Sequence, residues 1–194
     1  DIYNFDEKLG YRTLLNTFTL NYGVQMSTMN NKNNDTYETL IPDVSVFDYG
    51  LYSTIDYDRD NIGFSFGIRV DNKHTTCDQE QYDKNFPTLN SSVGMYVINN
   101  NHTLRMTYAS AFRAPHVSEL FSEGVHHGTN RYEIGDDQLS LERSHQFDIK
   151  YHGANDHFGI VINPFLQNIS DFISIHPTGT LHENTYRIYN YVQF

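Results

Sequence analysis

The 194 residues carry 13 Lys and Arg against 24 Asp and Glu, a formal net charge of −11. Nucleic-acid binding and docking on an anionic membrane surface both need a basic footprint, so this balance argues against both. The single cysteine, Cys77, excludes an internal disulfide framework, and the absence of any run of 18 apolar residues excludes a membrane-spanning helix. The 15 Tyr and 13 Phe favour β structure over a helical bundle.

Apolar and polar residues alternate with a period of two along most of the chain, which predicts strands with one apolar and one polar face. In one of the clearest segments, Phe64, Phe66 and Ile68 alternate with Ser65, Gly67 and Arg69. We expect about eight strands, most of them near the roughly 9–11 residues of a tilted membrane strand. Their approximate positions are 14–26, 46–57, 62–71, 89–98, 103–112, 146–152, 157–169 and 185–194.

The connections between these strands alternate in length. Three are tight-turn sequences, rich in residues that tolerate a positive φ, at 58–61, 99–102 and 153–156. Long polar stretches occupy about 27–45, 72–88, 113–143 and 176–184. In a meander, alternate connections emerge at the same end, so all long loops share one rim. Short turns at one rim and long loops at the other are typical of outer-membrane barrels.

A soluble β-sandwich or a soluble up-and-down barrel is the alternative, because a period of two does not show whether the apolar face of each strand points toward the protein interior or away from it. Several long loops on one side disfavour a sandwich, where loops beyond roughly 12–15 residues are uncommon. The polar face also carries Arg69, Asp71, Arg105, Asp148 and Lys150, which suits a water-filled lumen better than a packed interior. The pattern therefore predicts an all-β, antiparallel transmembrane meander.

Four sequence features occur in the order found in one known family. Phe112-Arg113-Ala114-Pro115, followed by Glu119-Leu120-Phe121, resembles the mid-barrel signature of TonB-dependent outer-membrane receptors. Similar family segments correspond to residues 40–43, 67–71 and 134–142. The resemblance covers roughly residues 12–194.

This resemblance implies about eight strands of a barrel of about 22 strands, located in the bacterial outer membrane. Residues 1–194 would form part of the barrel domain, with no plug domain in this chain. The partners implied are the lipid bilayer, a small nutrient ligand and the TonB complex, which would act through a missing N-terminal part. A closed eight-stranded, porin-like barrel without energy coupling is the alternative.

The long connection 113–143 contains the candidate metal ligands. Imidazole and carboxylate groups suit Zn²⁺ and related ions, and the segment 123–136 resembles the zinc-uptake branch of the family. We expect His126 or His127, with Glu133 or Asp136, to bind a metal, and a third group to complete the site. Solvated surface histidines are the alternative. We expect no resident cofactor, and Zn²⁺ or an iron chelate would be the transported substrate.

The sequence thus predicts a receptor that takes up a scarce nutrient, a metal ion or a metal chelate, with TonB-coupled energy. A passive pore and a soluble β-rich binding module are the other hypotheses. No nucleophile–base arrangement or phosphate-binding loop indicates an enzyme. We expect structural roles for Pro115, as the end of a strand, and for Arg113, paired with a loop carboxylate.

Overall fold

The computed structural model describes residues 2–33 and 39–194, and within this part the chain forms thirteen strands and one helix. They are β1 (Ile2–Leu15), β2 (Phe18–Asn31), β3 (Val44–Arg59), β4 (Ile62–Cys77), β5 (Tyr82–Asn99), β6 (His102–Arg113), α1 (Val117–Phe121), β7 (Glu123–His126), β8 (Arg131–Ile134), β9 (Glu142–Ala154), β10 (Gly159–Ile162), β11 (Phe165–Ser170), β12 (Ile173–His182) and β13 (Tyr186–Gln193). No helix among these residues is long and apolar enough to cross a membrane.

Nine strands form one antiparallel meander, in the order β1-β2-β3-β4-β5-β6-β9-β10, with β11 also paired to β9. β10 and β11 continue a single register along β9. They form one strand interrupted near Pro164, whose carbonyl still accepts from the amide of Ile149 at 3.1 Å. The sheet therefore has eight strand positions, which confirms the expected meander of about eight strands.

The two faces of this sheet follow the predicted alternation. Phe64, Phe66 and Ile68 are 49%, 49% and 40% exposed, while Gly67 between them is buried. These three side chains point outward and are not packed in the interior of a small barrel, which argues against the soluble-barrel alternative. Aromatic contacts band the same outward face: Phe18 with Tyr57, Tyr57 with Phe64, Tyr11 with Tyr22, and Phe47 with Tyr49.

The first two tight turns are confirmed, and the third lies at 155–158, two residues later than predicted. Asp60 and Asn100, in the first two predicted turns, have φ of 51° and 52°, a conformation that Asp and Asn adopt more readily than most residues. A further turn at Asn16 (φ 54°) and Thr17 separates β1 from β2. The prediction of one strand over 14–26 was therefore wrong, since Leu14 belongs to β1.

Two of the four long polar stretches are largely strand, contrary to the expectation of loops. Residues 72–88 form the ends of β4 and β5, joined only by residues 78–81, and 176–184 lies mainly in β12. Residues 113–143 contain α1, β7 and β8. The polar composition indicates strands that extend above the lipid, where both faces meet water. The predicted long loop at 27–45 lies partly outside the described residues.

A second, four-stranded sheet has the order β12-β13-β8-β7. β13 runs parallel to β8 and pairs with it over four positions, from Arg187 with Arg131 to Asn190 with Ile134. Residues 185–194 therefore belong to this second sheet, and their assignment to the meander was wrong. The sheet is built from the long connection after β6 and from the hairpin after β11, so it lies at the long-loop rim.

The buried apolar core lies at that same rim. It joins the ends of β3, β4 and β5 to α1 and to the following connection, and Phe121 contacts Tyr82 edge to face at 4.9 Å. Its buried members are Val44, Val46, Cys77, Tyr82, Phe86, Val117, Leu120, Phe121, Leu139 and Ile173. Because these strand residues share the face opposite Phe66, the connection packs into the mouth of the barrel wall.

Phe66 occupies the middle of the five outward apolar positions of β4, so Phe66→Arg should cost about 2–4 kcal/mol of folding free energy in a bilayer. Ser65→Arg, on the face toward the water-filled lumen, should cost much less folding free energy. Equilibrium unfolding of the full-length barrel in lipid vesicles measures both. Equal costs at the two positions would contradict the assignment of the faces.

Candidate functional site

The connection between β6 and β9 begins with a clamp around Arg113. Its guanidinium donates to Glu119 of α1 at 2.8 Å and to Glu142 of β9 at 3.1 Å. The two carboxylate side chains are only 15% and 12% exposed, so solvent screens these pairs less than ordinary surface pairs. Pro115 is buried two residues after the last residue of β6. The predicted structural roles of Arg113 and Pro115 are confirmed.

Helix α1 follows directly and is held by a capping box. The His116 Nδ1 accepts from the Ser118 amide at 3.3 Å, and Glu119 accepts from the His116 amide at 2.7 Å. Only an imidazole with an unprotonated Nδ1 can accept in this way. Partial burial lowers the pKa of His116 below its ordinary value, and the nearby Lys73 ammonium lowers it further.

Two lysines on the barrel wall hold the rest of the connection in place. Lys73 of β4 donates to the carbonyl of Pro115 at 3.4 Å, and Lys84 of β5 donates to the carbonyl of Asp137 at 2.8 Å. Both lysines lie on the face opposite Phe66. The wall therefore contacts the connection on both sides of α1.

A polar cavity of about 370 Å³ lies beside this clamp on the lumenal face. Arg69 donates to Asp71 at 2.9 Å and to Gln25 at 3.2 Å, and Asn90 donates to Asp71 at 3.2 Å. Gly50 lies opposite this pair, and a Cβ there would displace the Asp71 carboxylate from its present position. Arg69 and Asp71, assigned to the polar face from sequence, are thus part of a lumenal hydrogen-bond network.

A second cavity, the rim groove, lies along the four-stranded sheet and measures about 490 Å³. The ring of Tyr132 stacks on the imidazole of His182 with centroids 4.1 Å apart and planes 24° apart. Imidazoles, carboxylates and aromatic rings converge on one opening: its walls are formed by Thr39, Leu40, Glu123, Gly124, Val125, His127, Tyr132, His182, Glu183 and Tyr186.

The structure separates the four residues predicted to bind metal. His127 lines the rim groove, whereas His126 accepts from the hydroxyl of Thr129 at 3.0 Å. Asp136 accepts from the amide of Gln138 at 2.9 Å. Across residues 2–33 and 39–194, no three His, Cys, Asp or Glu side chains are grouped to hold a metal ion. Metal binding by His126, His127, Glu133 and Asp136 stays a prediction.

Glu133 joins the two halves of the second sheet. It is 2% exposed, accepts from Arg131 at 2.6 Å and from the hydroxyl of Tyr191 at 3.1 Å. Burial raises the pKa of Tyr191 to about 12, and the Glu133 carboxylate contributes to the shift. These contacts hold the β8–β13 junction and leave little of the Glu133 carboxylate for a ligand.

Sequence reasoning missed His182, which shares the rim groove with His127. The two residues are 55 positions apart, and the parallel pairing of β8 with β13 brings them to one opening. The only indication in the sequence was that a histidine lies within the fourth polar stretch, 176–184. No local pattern predicts a parallel contact between two separate hairpins.

Residues 1–193 match the family model described as TonB dependent receptor-like, beta-barrel. The chain belongs to the TonB-dependent receptor family. As the barrel portion of such a receptor, it lies in the outer membrane of Gram-negative bacteria, and the outward face that carries Phe66 meets lipid. The long-loop rim is then the extracellular one.

Solved structures of this fold include three similar to the chain. The Serratia marcescens hemophore receptor HasR, solved with its hemophore HasA and heme, has a TM-score of 0.76 at 16% identity over 99% of this chain and 37% of its own. The copper transporter OprC gives 0.78 at 15% identity over 99% and 33%. The FrpB iron transporter from Neisseria meningitidis gives 0.71 at 16% identity over 98% and 30%. The chain spans about a third of these receptors.

Removing the clamp should loosen α1 without unfolding the barrel. We expect Arg113→Ala to lower the opening free energy of residues 116–121 by about 1–3 kcal/mol, because two shielded carboxylates lose their partner. Hydrogen exchange followed by mass spectrometry measures this locally. Arg59→Ala, which removes an exposed arginine 3.8 Å from Asp60, is the matched control and should change nothing. Unaltered exchange in Arg113→Ala would contradict the clamp.

The His116 cap should make α1 sensitive to pH. Since the pKa of His116 is lower in the folded state, folding favours the neutral ring, and its stabilising contribution is lost as pH falls from about 6.5 through the lower folded pKa. Limited proteolysis of the connection should therefore be faster at pH 5 than at pH 7.5. His116→Asn keeps a good N-cap without titrating, so equal pH dependence in this variant would contradict the interpretation.

Proposed function

We propose that this chain forms the ligand-capturing part of an outer-membrane receptor that takes up a metal chelate, with transport powered through TonB. The barrel is completed, and a plug is supplied, by parts of the protein beyond these residues. The similar structures are a hemophore receptor solved with its hemophore and heme, a copper transporter and an iron transporter, which supports a metal-containing cargo for this chain.

The rim groove is the observation that carries the proposal. Its volume of about 490 Å³ falls within the roughly 300–1,000 Å³ of small-molecule sites. His127 and His182 supply imidazole nitrogens that can coordinate a metal, and the stacked Tyr132 supplies an aromatic surface. This combination suits a metal chelate whose organic part can pack against an aromatic ring and whose metal has a free coordination position.

The charge of the rim supports a cationic or partly neutralised cargo. The connection 113–142 contains six carboxylates (Glu119, Glu123, Glu133, Asp136, Asp137, Glu142) against Arg113 and Arg131, a net of −4. Such a field concentrates cations near the groove. The polar lumenal cavity around Arg69 lies on the barrel side of the clamp. Cargo released from the groove toward the lumen would next contact this hydrated surface.

The test is isothermal titration of the full-length receptor with two probes, haem and Zn²⁺. We expect His127→Ala/His182→Ala to weaken binding of at least one probe by about tenfold or more, the effect of losing about 1.4 kcal/mol. His157→Ala, an exposed turn histidine at the opposite rim, is the control. His126→Ala distinguishes two possible sites. It should weaken probe binding if the metal ligands predicted from sequence are used, and it should leave the affinity unchanged if the rim groove binds the probe, because His126 does not line that groove.

Unchanged affinity for both probes in the double variant would remove the groove from ligand capture. Uptake of the bound probe by cells with and without TonB tests energy coupling separately. Equal uptake in the two strains would favour the passive pore.

A further inference from the structure

The four-stranded sheet at the rim has two faces, and the rim groove lies along one of them. Tyr132 of β8 pairs with Ile188 of β13, two residues after Tyr186, and Tyr186 pairs with His182. All four side chains therefore share one face, and Tyr132, His182 and Tyr186 line the groove. Successive side chains alternate along a strand, so Glu133 points to the reverse face and does not line the groove.

The groove is made by two separate hairpins. The β7–β8 hairpin provides His127 and Tyr132, and the β12–β13 hairpin provides His182 and Glu183. The two hairpins are joined by the parallel ladder of β8 and β13, which has four paired positions. A parallel ladder this short is weak by itself. A ligand that uses both histidines therefore depends on a further contact that holds the hairpins together.

The reverse face of the sheet supplies that contact. Glu133 of β8 is 2% exposed and accepts from the hydroxyl of Tyr191, on β13, at 3.1 Å. It also accepts from Arg131 on its own strand at 2.6 Å. The Arg131 guanidinium in turn lies 5.2 Å from the centroid of the Tyr189 ring, again on β13. The buried pair of Glu133 and Arg131 thus reaches the second hairpin at two points.

Burial and charge both make Glu133 important to the junction. A buried carboxylate that loses a hydrogen-bond donor is left undersatisfied in a medium of low dielectric constant, so its bond to Tyr191 contributes more than an exposed one would. The ladder also places Arg131 opposite Arg187, and these like charges repel. The Glu133 carboxylate beside Arg131 offsets that repulsion.

We propose that Glu133 is a positioning residue of the rim groove. Through Tyr191 and Arg131 it holds the β12–β13 hairpin against β8, so that His127 and His182 bind one ligand together. Glu133 acts from the reverse face of the sheet and does not coordinate the metal in the groove. This role rests on the proposed function of the groove in ligand capture, and it differs from the metal-ligand role predicted for Glu133 from sequence.

The test is a double-mutant cycle on the full-length receptor, with haem and Zn²⁺ as probes in isothermal titration. Tyr191→Phe removes the hydroxyl that reaches Glu133 and leaves the carboxylate paired with Arg131. We expect it to weaken binding of the probe that depends on His127 and His182 by about tenfold. In a His182→Ala receptor the same change should cause no further loss, because His127 alone binds regardless of where the second hairpin lies.

Tyr189→Phe is the matched control. It removes a hydroxyl two residues away on the same strand and keeps the ring beside Arg131, so it should bind both probes as wild type does. Glu133→Gln is an independent second variant. It should weaken binding as Tyr191→Phe does, and the two changes together should cost less than the product of their separate effects. If Tyr191→Phe does not assemble, Glu133→Gln in the same His182→Ala cycle decides the question.

Wild-type affinity in Tyr191→Phe would overturn the proposal, and so would an equal loss in the wild-type and His182→Ala backgrounds. Weaker binding in Glu133→Gln without any loss in Tyr191→Phe would make Glu133 a metal ligand instead. Wild-type affinity of the His127→Ala/His182→Ala receptor for both probes would remove the capture site, and the positioning role with it. Loss of binding in that receptor, with Tyr191→Phe unchanged, would remove only the role of Glu133.

Discussion

The hydrocarbon of a bilayer offers no hydrogen-bond partner to a peptide group, and every other feature of this chain depends on that constraint. A strand in lipid must satisfy its amides and carbonyls on its neighbours. The meander does so through continuous ladders, such as the fifteen paired positions between β3 and β4 from Ser45 with Thr76 to Arg59 with Ile62. Even Pro164, which has no amide to donate, keeps its carbonyl in the ladder.

The same constraint explains why the apolar core lies at one end. In the membrane-spanning part, apolar side chains face lipid and polar ones face the lumen, so neither face needs a packed protein interior. Above the lipid, the wall faces water on both sides and gains stability only by burying apolar surface. Val44, Phe86 and Leu120 do this at the mouth. The Arg113 clamp positions helix α1, which provides Val117, Leu120 and Phe121, three of the ten buried core residues of the described chain.

Charge is distributed according to the same geometry. Arg69, Lys73 and Lys84 lie on the lumenal face, where water and neighbouring carboxylates or carbonyls satisfy them. Carboxylates concentrate in the connection above, where they face water at the long-loop rim. Arg143 of β9 departs from this arrangement, since it is exposed on the lipid-facing side, where its guanidinium lies 4.7 Å from the centroid of the Phe112 ring. At the rim, polar headgroups replace hydrocarbon, so the exposed guanidinium has a lower desolvation cost there than at the middle of the bilayer.

The sequence by itself determined the strand type, the assignment of faces and the rim that carries the long connections. These are local properties: a period of two places Phe66 and Ser65 on opposite faces wherever the strand lies, and Asp60 or Asn100 marks a turn without reference to distant residues. The ends of strands were not determined. Residues 72–88 are as polar as a loop because they leave the lipid, although they pair as strand.

Only the tertiary structure decided which residues share the rim groove. The parallel contact between β8 and β13 places His182 in the same groove as His127, and it brings the Tyr191 hydroxyl to the Glu133 carboxylate. Neither outcome follows from spacing, because the pairing joins two hairpins separated by the whole of β9 to β11. Local sequence fixes how each strand alternates, whereas the packing of one connection against another fixes which side chains meet.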